Sequence, residues 1–202
     1  MVLWASDQPL VLASKSEVRR KIVEAAGIPV EVHPAEIDER SIEAGAGSAP
    51  SRDIARMLAL VKARTVADAM PGRLVLGADQ TLAFGSETLS KPIDMAAARA
   101  QLLRMRGLIH ELHSAIAVAR DKTVLFEHVA TARLAMRRIS DEFVDRYLET
   151  VGLTALTSVG AYQIEGIGIH LFERIDCDHF AIMGLPLLPL LEFFRGNGDV
   201  AA

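Results

Sequence analysis

The stretch VLGADQTLAF, from Val75 to Phe84, begins like a buried strand and then changes character. Its apolar start leads directly to Asp79 and Gln80, an acid and an amide where a strand interior would otherwise continue. In open α/β sheets, ligands bind just beyond the carboxyl ends of the strands. We therefore expect the strand to end at Asp79 and the Asp79 side chain to face a ligand. The alternative is a strand that ends in an ordinary turn.

Strand and helix patterns alternate on both sides of this stretch. Strands are predicted, from β-branched or alternating apolar residues, at 30–34, 74–79, 109–120 and 124–136. Helices are predicted at about 16–26, 51–70, 94–105, 140–150 and 186–195, with Ser51 and Ser140 as caps. The small-residue segment 43–51 is expected to be a loop. This pattern predicts an α/β fold with a mixed sheet and flanking helices, and hairpin-like connections argue against a purely parallel sheet.

Bulk properties limit the class of protein. The 202 residues suit one domain, 1–202, and the net charge of -4 argues against a nucleic-acid partner. A single cysteine, Cys177, excludes an intramolecular disulfide framework and a thiolate-built zinc site, so a cytoplasmic location is expected. The apolar start lacks a basic region, so no signal peptide is expected. The apolar segment 180–194 is too short for a membrane span and contains two prolines, so we expect it to pack in the core.

The segment LASKSEVRRKIVEAAG predicts a strand, a turn and a helix, with Ser14 or Ser16 near the N-cap. Arg19 and Arg20 then fall in the first helical turn, where the helix dipole disfavours a cation by ~0.3–1 kcal/mol. A bound anion would reverse that preference, because free N–H groups, a hydroxyl and a guanidinium would converge on it. Two solvated arginines are the alternative.

Other candidates are individually weak. Lys91 precedes a proline that fixes the local backbone, which suits a lysine aimed at a phosphate, although lone lysines are usually solvated. Glu36, Asp38 and Glu39 are candidate ligands for a hard cation, or an acidic surface turn. His110 and His113 lie three apart in a predicted strand, a poor arrangement for sharing one metal.

Taken together, these fragments resemble one family. The order and approximate spacing of eight segments are similar to those of the Maf family of nucleoside triphosphate pyrophosphatases, from about Leu10 to Arg195. The segments are LASKSEVRR, EIDER, VKA, GADQ, SKP, GLIH, GAYQIEG and GLPLLPL. The resemblance implies a fold like that of the inosine triphosphate pyrophosphatases (Maf/Ham1), with a cleft between two lobes.

The same resemblance implies an activity and a set of site residues. The reaction would be hydrolysis between the α- and β-phosphates, giving a nucleoside monophosphate and pyrophosphate with Mg²⁺ or Mn²⁺ as cofactor. Asp79 matches the catalytic acid, as general base or metal ligand, and Glu39 is the second implied metal ligand. The residues implied to bind phosphate are Ser14, Ser16, Arg19, Lys62 and Lys91.

Three positions concern the base. Many Maf proteins read S-P-R-R, G-A-D-T and G-Y-G-I-Q-G at the matching sites, a pattern linked to dTTP and UTP. This chain has Val18, Gln80 and Glu165 instead, which resembles the subfamily that hydrolyses 7-methyl-GTP. Guanine offers N–H donors to a carboxylate, and N7-methylation makes the ring cationic, so an acid at 165 is chemically suited. An arginine at 18 would repel that cation, whereas valine does not.

Two other readings stay open at this point. One keeps the enzyme and assigns dTTP and UTP as substrates. The other is a nucleotide-binding regulator of septum formation that acts without turnover. In either case the expected partner is a nucleoside triphosphate, with no nucleic acid and no membrane, and a homodimer is an open alternative to a monomer.

Overall fold

The computed structural model describes residues 3–201. The strands are β1 (Leu10–Leu12), β2 (Val30–Val32), β3 (Leu74–Phe84), β4 (Glu87–Leu89), β5 (Ile109–Arg120), β6 (Thr123–Met136) and β7 (Phe172–Asp176). The α-helices are α1 (Glu17–Ala25), α2 (Glu39–Gly45), α3 (Ser51–Ala69), α4 (Met95–Met105), α5 (Asp141–Val151), α6 (His179–Ile182) and α7 (Leu187–Asn197). Short 3-10 helices span Gly152–Leu156, Val159–Ala161 and Ile167–Leu171.

The strands form one seven-stranded mixed sheet in the order β2-β1-β3-β5-β6-β7, with β4 paired to β3 outside that path. β1 runs parallel to β2 and β3, and every other pairing is antiparallel. The predicted mixed α/β sheet with flanking helices is therefore confirmed. Strands β5 and β6 and helices α1, α3, α4, α5 and α7 lie within a few residues of their predicted bounds.

The expectation that the central strand ends at Asp79 is wrong. β3 runs for 11 residues, through Asp79 and Gln80 to Phe84. The reason is its pairing with β5, which is unbroken from Leu74 opposite Arg120 to Ala83 opposite Glu111. The backbone hydrogen bonds of this ladder keep β3 extended regardless of its side chains. Asp79 and Gln80 are tolerated because each finds polar partners on its own face of the sheet.

Two predictions around α3 are also wrong. Ser51 does not cap this helix: Pro50 occupies the N-cap position and Ser51 is the first helical residue. The predicted loop at 43–51 begins later than expected, because α2 runs to Gly45 and is capped at its start by Asp38, which accepts from Ser41 N–H. Ser140, in contrast, caps α5 as predicted, accepting from Phe143 N–H.

Successive residues of β3 point to opposite faces of the sheet. On one face, Val75 and Gly77 lie against α3, whose contact surface is mostly alanine. A Cβ on Gly77 would lie 2.2 Å from the carbonyl oxygen of Ala59, so only glycine allows α3 to approach this closely. The Asp79 side chain is on this α3 face and meets Lys62 of α3 there.

The other face of the sheet carries two apolar clusters. The first cluster contains Leu76 and Ala78 of β3 with residues of β1, α1 and α7, including Phe194. The second contains Leu82 of β3 with residues of α4, α5 and β7. Gln80 lies on β3 between Ala78 of the first cluster and Leu82 of the second. The apolar 180–194 segment packs in the first cluster as predicted.

No helix within residues 3–201 has the length and apolar character needed to cross a membrane.

Candidate active site

The site begins with an open segment on one edge of β3. β1 pairs with β3 at Val75 and Leu76, and β4 pairs with the same edge from Leu82 to Phe84. Within the described chain no strand borders the segment 77–81 on that side, whereas β5 holds its other side. Asp79 is at the middle of this open segment. It lies beyond the carboxyl end of β1, although it is inside β3.

Asp79 contacts Lys62 directly and is linked through it to Glu39. The Lys62 ammonium donates to Asp79 Oδ1 at 2.6 Å and lies 2.8 Å from Glu39 Oε1. Lys62 and Asp79 are both 7% exposed, while Glu39, at the start of α2, is exposed. One lysine therefore bridges the two carboxylates that were predicted from the sequence to be metal ligands.

Burial raises the pKa of the Asp79 carboxyl above its ordinary value of 3.8. The charges of Lys62 and Arg19 oppose this effect, and the negative charge of Glu39 adds to it. Among residues 3–201, hydrogen bonding engages only Oδ1 of this carboxyl group, so Oδ2 is free to act on a ligand. A buried carboxylate with one free oxygen and a raised pKa has the properties of a general base.

The turn after β1 supplies a second part of the site. Ser16 is the N-cap of α1 and accepts from the Arg19 N–H, and the buried Ser14 hydroxyl accepts from the Ser16 N–H and from Arg19 Nη1. The structure thus brings Ser14, Ser16 and Arg19 together, as predicted for this turn. Ser16, rather than Ser14, is the cap.

Arg19 is fixed at the open edge of β3. Its Nη1 donates to the Ala78 carbonyl at 2.8 Å, and its Nε donates to the Gly184 carbonyl at 2.9 Å. Burial lowers the pKa of the guanidinium, while the charges of Asp79 and Glu39 raise it, so both acids act on Arg19 electrostatically. β1 ends before it reaches Ala78, so the Ala78 carbonyl has no partner on that strand. The Arg19 guanidinium donates to this carbonyl instead.

Two of the three predicted base-reading residues lie on the opposite face of the sheet from Asp79. Val18, on α1, packs against the first apolar cluster. The Gln80 amide nitrogen donates to Ser114 Oγ and to the Ile182 carbonyl, both at 2.8 Å. Gln80 is therefore tied to β5 and α6, and its amide hydrogens are already occupied by protein groups.

Lys91 and Glu165 are not bonded to the site residues described above. Lys91 follows β4, Glu165 lies between two 3-10 helices, and both are exposed. In the part of the chain that the structure describes, neither side chain makes a hydrogen bond or salt bridge. Both are free to contact a ligand that reaches them.

Sequence reasoning missed four contributors to the site: Glu43, Gly77, Ser114 and Gly184. Glu43 follows Glu39 by one helical turn on α2, and its pKa is raised by burial and by the charges of Asp79 and Glu39. The spacing of these two acids was a usable signal, but the small residues after Glu43 suggested a loop instead. Nothing in the local sequence marked Ser114 or Gly184, because both act through contacts with residues distant in the chain.

The donor set suits a hard divalent cation. No group of three or more His, Cys, Asp or Glu side chains within residues 3–201 is arranged to hold a metal alone. Mg²⁺ commonly takes one or two carboxylates and completes its shell with water and substrate phosphates. Asp79 and Glu39, brought together by Lys62, are the two residues that fit this requirement.

Comparison with known proteins gives consistent matches along the chain. A family model described as Maf-like protein matches residues 9–197. A nucleoside triphosphate pyrophosphatase of Rhodopseudomonas palustris is 53% identical over 201 residues, 100% of each chain. A 7-methyl-GTP pyrophosphatase of Rhizobium johnstonii is 47% identical over 194 residues, 95% of this chain and 97% of the relative. A nucleoside-triphosphatase (dITP/XTP pyrophosphatase) structure from Mycobacterium abscessus, 17% identical over 95% of each chain, gives a TM-score of 0.44, too low for a conclusion about the fold.

Proposed function

The chain belongs to the Maf family, and from that premise we propose that it is a nucleoside triphosphate pyrophosphatase with 7-methyl-GTP as its preferred substrate. The reaction is hydrolysis of the α–β phosphate bond to a monophosphate and pyrophosphate. The enzyme class is supported by the family match and by relatives that carry this name over the full length of the chain.

The observation that carries the catalytic proposal is the Asp79 carboxyl group, buried, bonded through one oxygen to Lys62 and free at the other. In this role the free oxygen of Asp79 accepts the proton of the attacking water or holds the metal ion that activates this water, and Lys62 holds the carboxylate in position. Phosphoryl transfer depends mainly on positioning and charge neutralisation. Arg19, beside Asp79, supplies the second positive charge, and the exposed Lys91 supplies a third when the triphosphate reaches it.

The proposed cofactor is Mg²⁺ or Mn²⁺, held by Asp79 and Glu39. When bound, such an ion neutralises phosphate charge and lowers the pKa of coordinated water. Lys62 would keep both carboxylates in place before the ion arrives, since it contacts one oxygen of each. The N–H groups at the start of α1, with Ser14, Ser16 and Arg19, bind the phosphate chain.

The preference for 7-methyl-GTP is supported by Glu165, which is exposed and has no protein partner among residues 3–201. A carboxylate in that state accepts guanine N–H donors without first breaking another bond. Val18 adds no positive charge against a methylated, cationic ring. A relative 47% identical to this chain is named for the same substrate.

The test is a nucleotide panel of 7-methyl-GTP, GTP, dTTP and UTP with Mg²⁺ or Mn²⁺, in which pyrophosphate release is measured. Glu165→Gln should lower kcat/KM for 7-methyl-GTP about 10–100-fold, because a hydrogen bond to a charged group contributes roughly 1.5–3 kcal/mol. The pyrimidine substrates should lose much less. Glu149→Gln, at an exposed acid on α5, is the matched control and should leave all four values unchanged.

Each contrary outcome points to a different reading. Equal losses on purines and pyrimidines would mean that Glu165 does not read the base. A wild-type preference for dTTP or UTP would end the 7-methyl-GTP proposal and leave the enzyme class intact. Nucleotide binding without any pyrophosphate release would favour a non-catalytic regulator.

A further inference from the structure

A buried polar network crosses the sheet face between the two apolar clusters. Ser114 of β5 is 0% exposed, and its hydroxyl donates to the Ala181 carbonyl at 2.6 Å. The same hydroxyl accepts from the Gln80 amide at 2.8 Å, and that amide also donates to the Ile182 carbonyl. Gln80 and Ser114 are paired across β3 and β5, so the two side chains stand side by side.

These bonds fasten one short segment of the chain. We call residues 178–184 the α6 turn: it contains the cap Asp178, the four-residue helix α6, and the Met183–Gly184 turn. A helix this short has too few internal hydrogen bonds to hold its own position. Its placement on the sheet therefore depends on contacts with the rest of the molecule: the apolar packing of residues such as Phe180 and Ile182, and the side chains that bond its last carbonyls.

The far end of the α6 turn contacts the phosphate-binding arginine. The Gly184 carbonyl accepts from Arg19 Nε at 2.9 Å. Gly184 has a φ of +85°, and a Cβ at this position would lie 3.2 Å from the Arg19 guanidinium. Ser14 and the Ala78 carbonyl hold the Nη1 end of Arg19, and the α6 turn holds its Nε. The orientation of the guanidinium thus depends partly on where the α6 turn lies, and Ser114 and Gln80 help to fix that turn.

We propose that Ser114 is a positioning residue, which acts through the α6 turn to hold the Arg19 guanidinium in the geometry that binds the triphosphate. Ser114 touches no substrate. Gln80 belongs to the same network, so a change at residue 80 alters the site by moving the α6 turn as well as by any contact with the base. This inference rests on the proposed pyrophosphatase activity and adds a residue that acts at a distance from the phosphates.

A double-mutant cycle between Ser114 and Arg19 tests the coupling. Ser114→Ala in the wild-type background should lower kcat/KM about 5–10-fold, the effect of a lost buried hydrogen bond. The loss should be the same for 7-methyl-GTP and dTTP, because it arises at the phosphates. In the Arg19→Ala background the same substitution should cost less than about twofold, since its effect passes through the missing guanidinium.

Thr131→Val is the matched control. Thr131 lies on β6, and its hydroxyl is hydrogen-bonded to His113 Nδ1 at 3.0 Å, on the opposite face of the sheet from Ser114. This variant loses a side-chain hydroxyl bond without releasing the α6 turn. It should keep the wild-type kcat/KM for every nucleotide.

Amide hydrogen exchange of the α6 turn provides a measurement that needs no activity. Gly184 N–H donates to the Ala181 carbonyl, and Leu185 N–H donates to the Phe180 carbonyl. Ser114→Ala should accelerate exchange at these two amides about 10-fold, and Thr131→Val should not. If the wild type releases no pyrophosphate from any nucleotide, the proposed function fails, while exchange still tests the network.

Two results would overturn the proposal. One is an equal loss of kcat/KM from Ser114→Ala in the wild-type and Arg19→Ala backgrounds, which would mean that the two residues act independently. The other is exchange at Gly184 and Leu185 that Ser114→Ala leaves unchanged, which would show that the serine does not hold the turn.

Discussion

The carboxyl group of Asp79 is held at one oxygen and free at the other. Lys62 provides the bond, and Arg19 provides a second charge without bonding to the carboxyl group. Burial favours the protonated form, whereas the two cations favour the ionised form. The result is a carboxylate that is stabilised by its neighbours and still able to take a proton.

Asp79→Asn should therefore lower turnover at least ~100-fold while the fold persists, as expected when a general base is lost. The amide has the same size as the carboxyl group and can still accept from Lys62. The measurement is kcat for pyrophosphate release, with circular dichroism and nucleotide binding as checks on the fold. Asp68→Asn, at an exposed acid of α3, should behave like the wild type. Near-normal turnover in the Asp79 variant would remove this residue from the mechanism.

At this scale the sequence predicted which residues gather, but not how they pair. Ser14, Ser16, Arg19, Lys62 and Asp79 were all identifiable from a motif. The motif contains no information on the bridge from Lys62 to both acids, because the partners are 17 residues apart or more and meet only after α3 docks. Whether Lys91 and Glu165 take part stays a prediction.

The close packing of α3 against β3 depends on one residue, Gly77. Gly77 lets the helix backbone come close enough for Lys62 to reach Asp79, two residues along the strand. A side chain at this position would have no room, since its nearest neighbours are backbone atoms of Ala59 and Ala63. Backbone atoms of a packed helix cannot move aside one at a time.

Gly77→Ala should destabilise the protein by about 1–3 kcal/mol or more, the cost of overpacking a filled core. It should also reduce activity, because α3 carries Lys62 away from Asp79. Urea unfolding and kcat measure the two effects. Gly45→Ala is the control: a Cβ there has no atom within 4 Å, so stability and activity should stay near the wild type. A Gly77 variant as stable as the control would contradict this account of the helix–strand contact.

Element prediction succeeded for the long patterns and for the short strands β1 and β2, but it failed for four other short elements. β5 and β6 carry enough alternating residues for the period to show, and their bounds were predicted to within a residue. β4, β7, α2 and α6 were missed because three to seven residues hold too little periodicity. The end of β3 was predicted too early because the polar residues Asp79 and Gln80 were taken as the end of the strand. The backbone pairing with β5 continues past them and keeps the strand extended.

A buried histidine, His110 of β5, affects the stability of the whole molecule. It lies beside the second apolar cluster, the one that contains Leu82. His110 Nε2 is 2.7 Å from the Tyr162 hydroxyl, and its ring packs near Tyr162 and Phe172. Nδ1 is buried without a hydrogen-bond partner in the described chain. Burial lowers the pKa of His110 from 6.5 to about 4, because a charged ring would lose its hydration in this apolar part of the molecule.

This histidine should make the folded molecule sensitive to acid. Above pH 6.5 the ring is neutral in both the folded and the unfolded chain, and the stability is fully present. As the pH falls toward 4, only the unfolded chain gains a proton, which costs the fold up to ~3 kcal/mol. The check is the free energy of unfolding in urea across this range. His110→Gln should show a shallower decline than the wild type, and parallel curves would contradict the assignment.

The open segment of β3 has one more consequence, for association between molecules. An unpaired strand edge is a template on which another chain can add a strand and start an aggregate. Here β1 and β4 occupy the two ends of that edge and leave only residues 77–81 uncovered. The Arg19 guanidinium already takes the Ala78 carbonyl, which a foreign strand would need. The molecule can therefore leave backbone open beside the Asp79 carboxyl group, because the opening is short and one of its carbonyls is already bonded to Arg19.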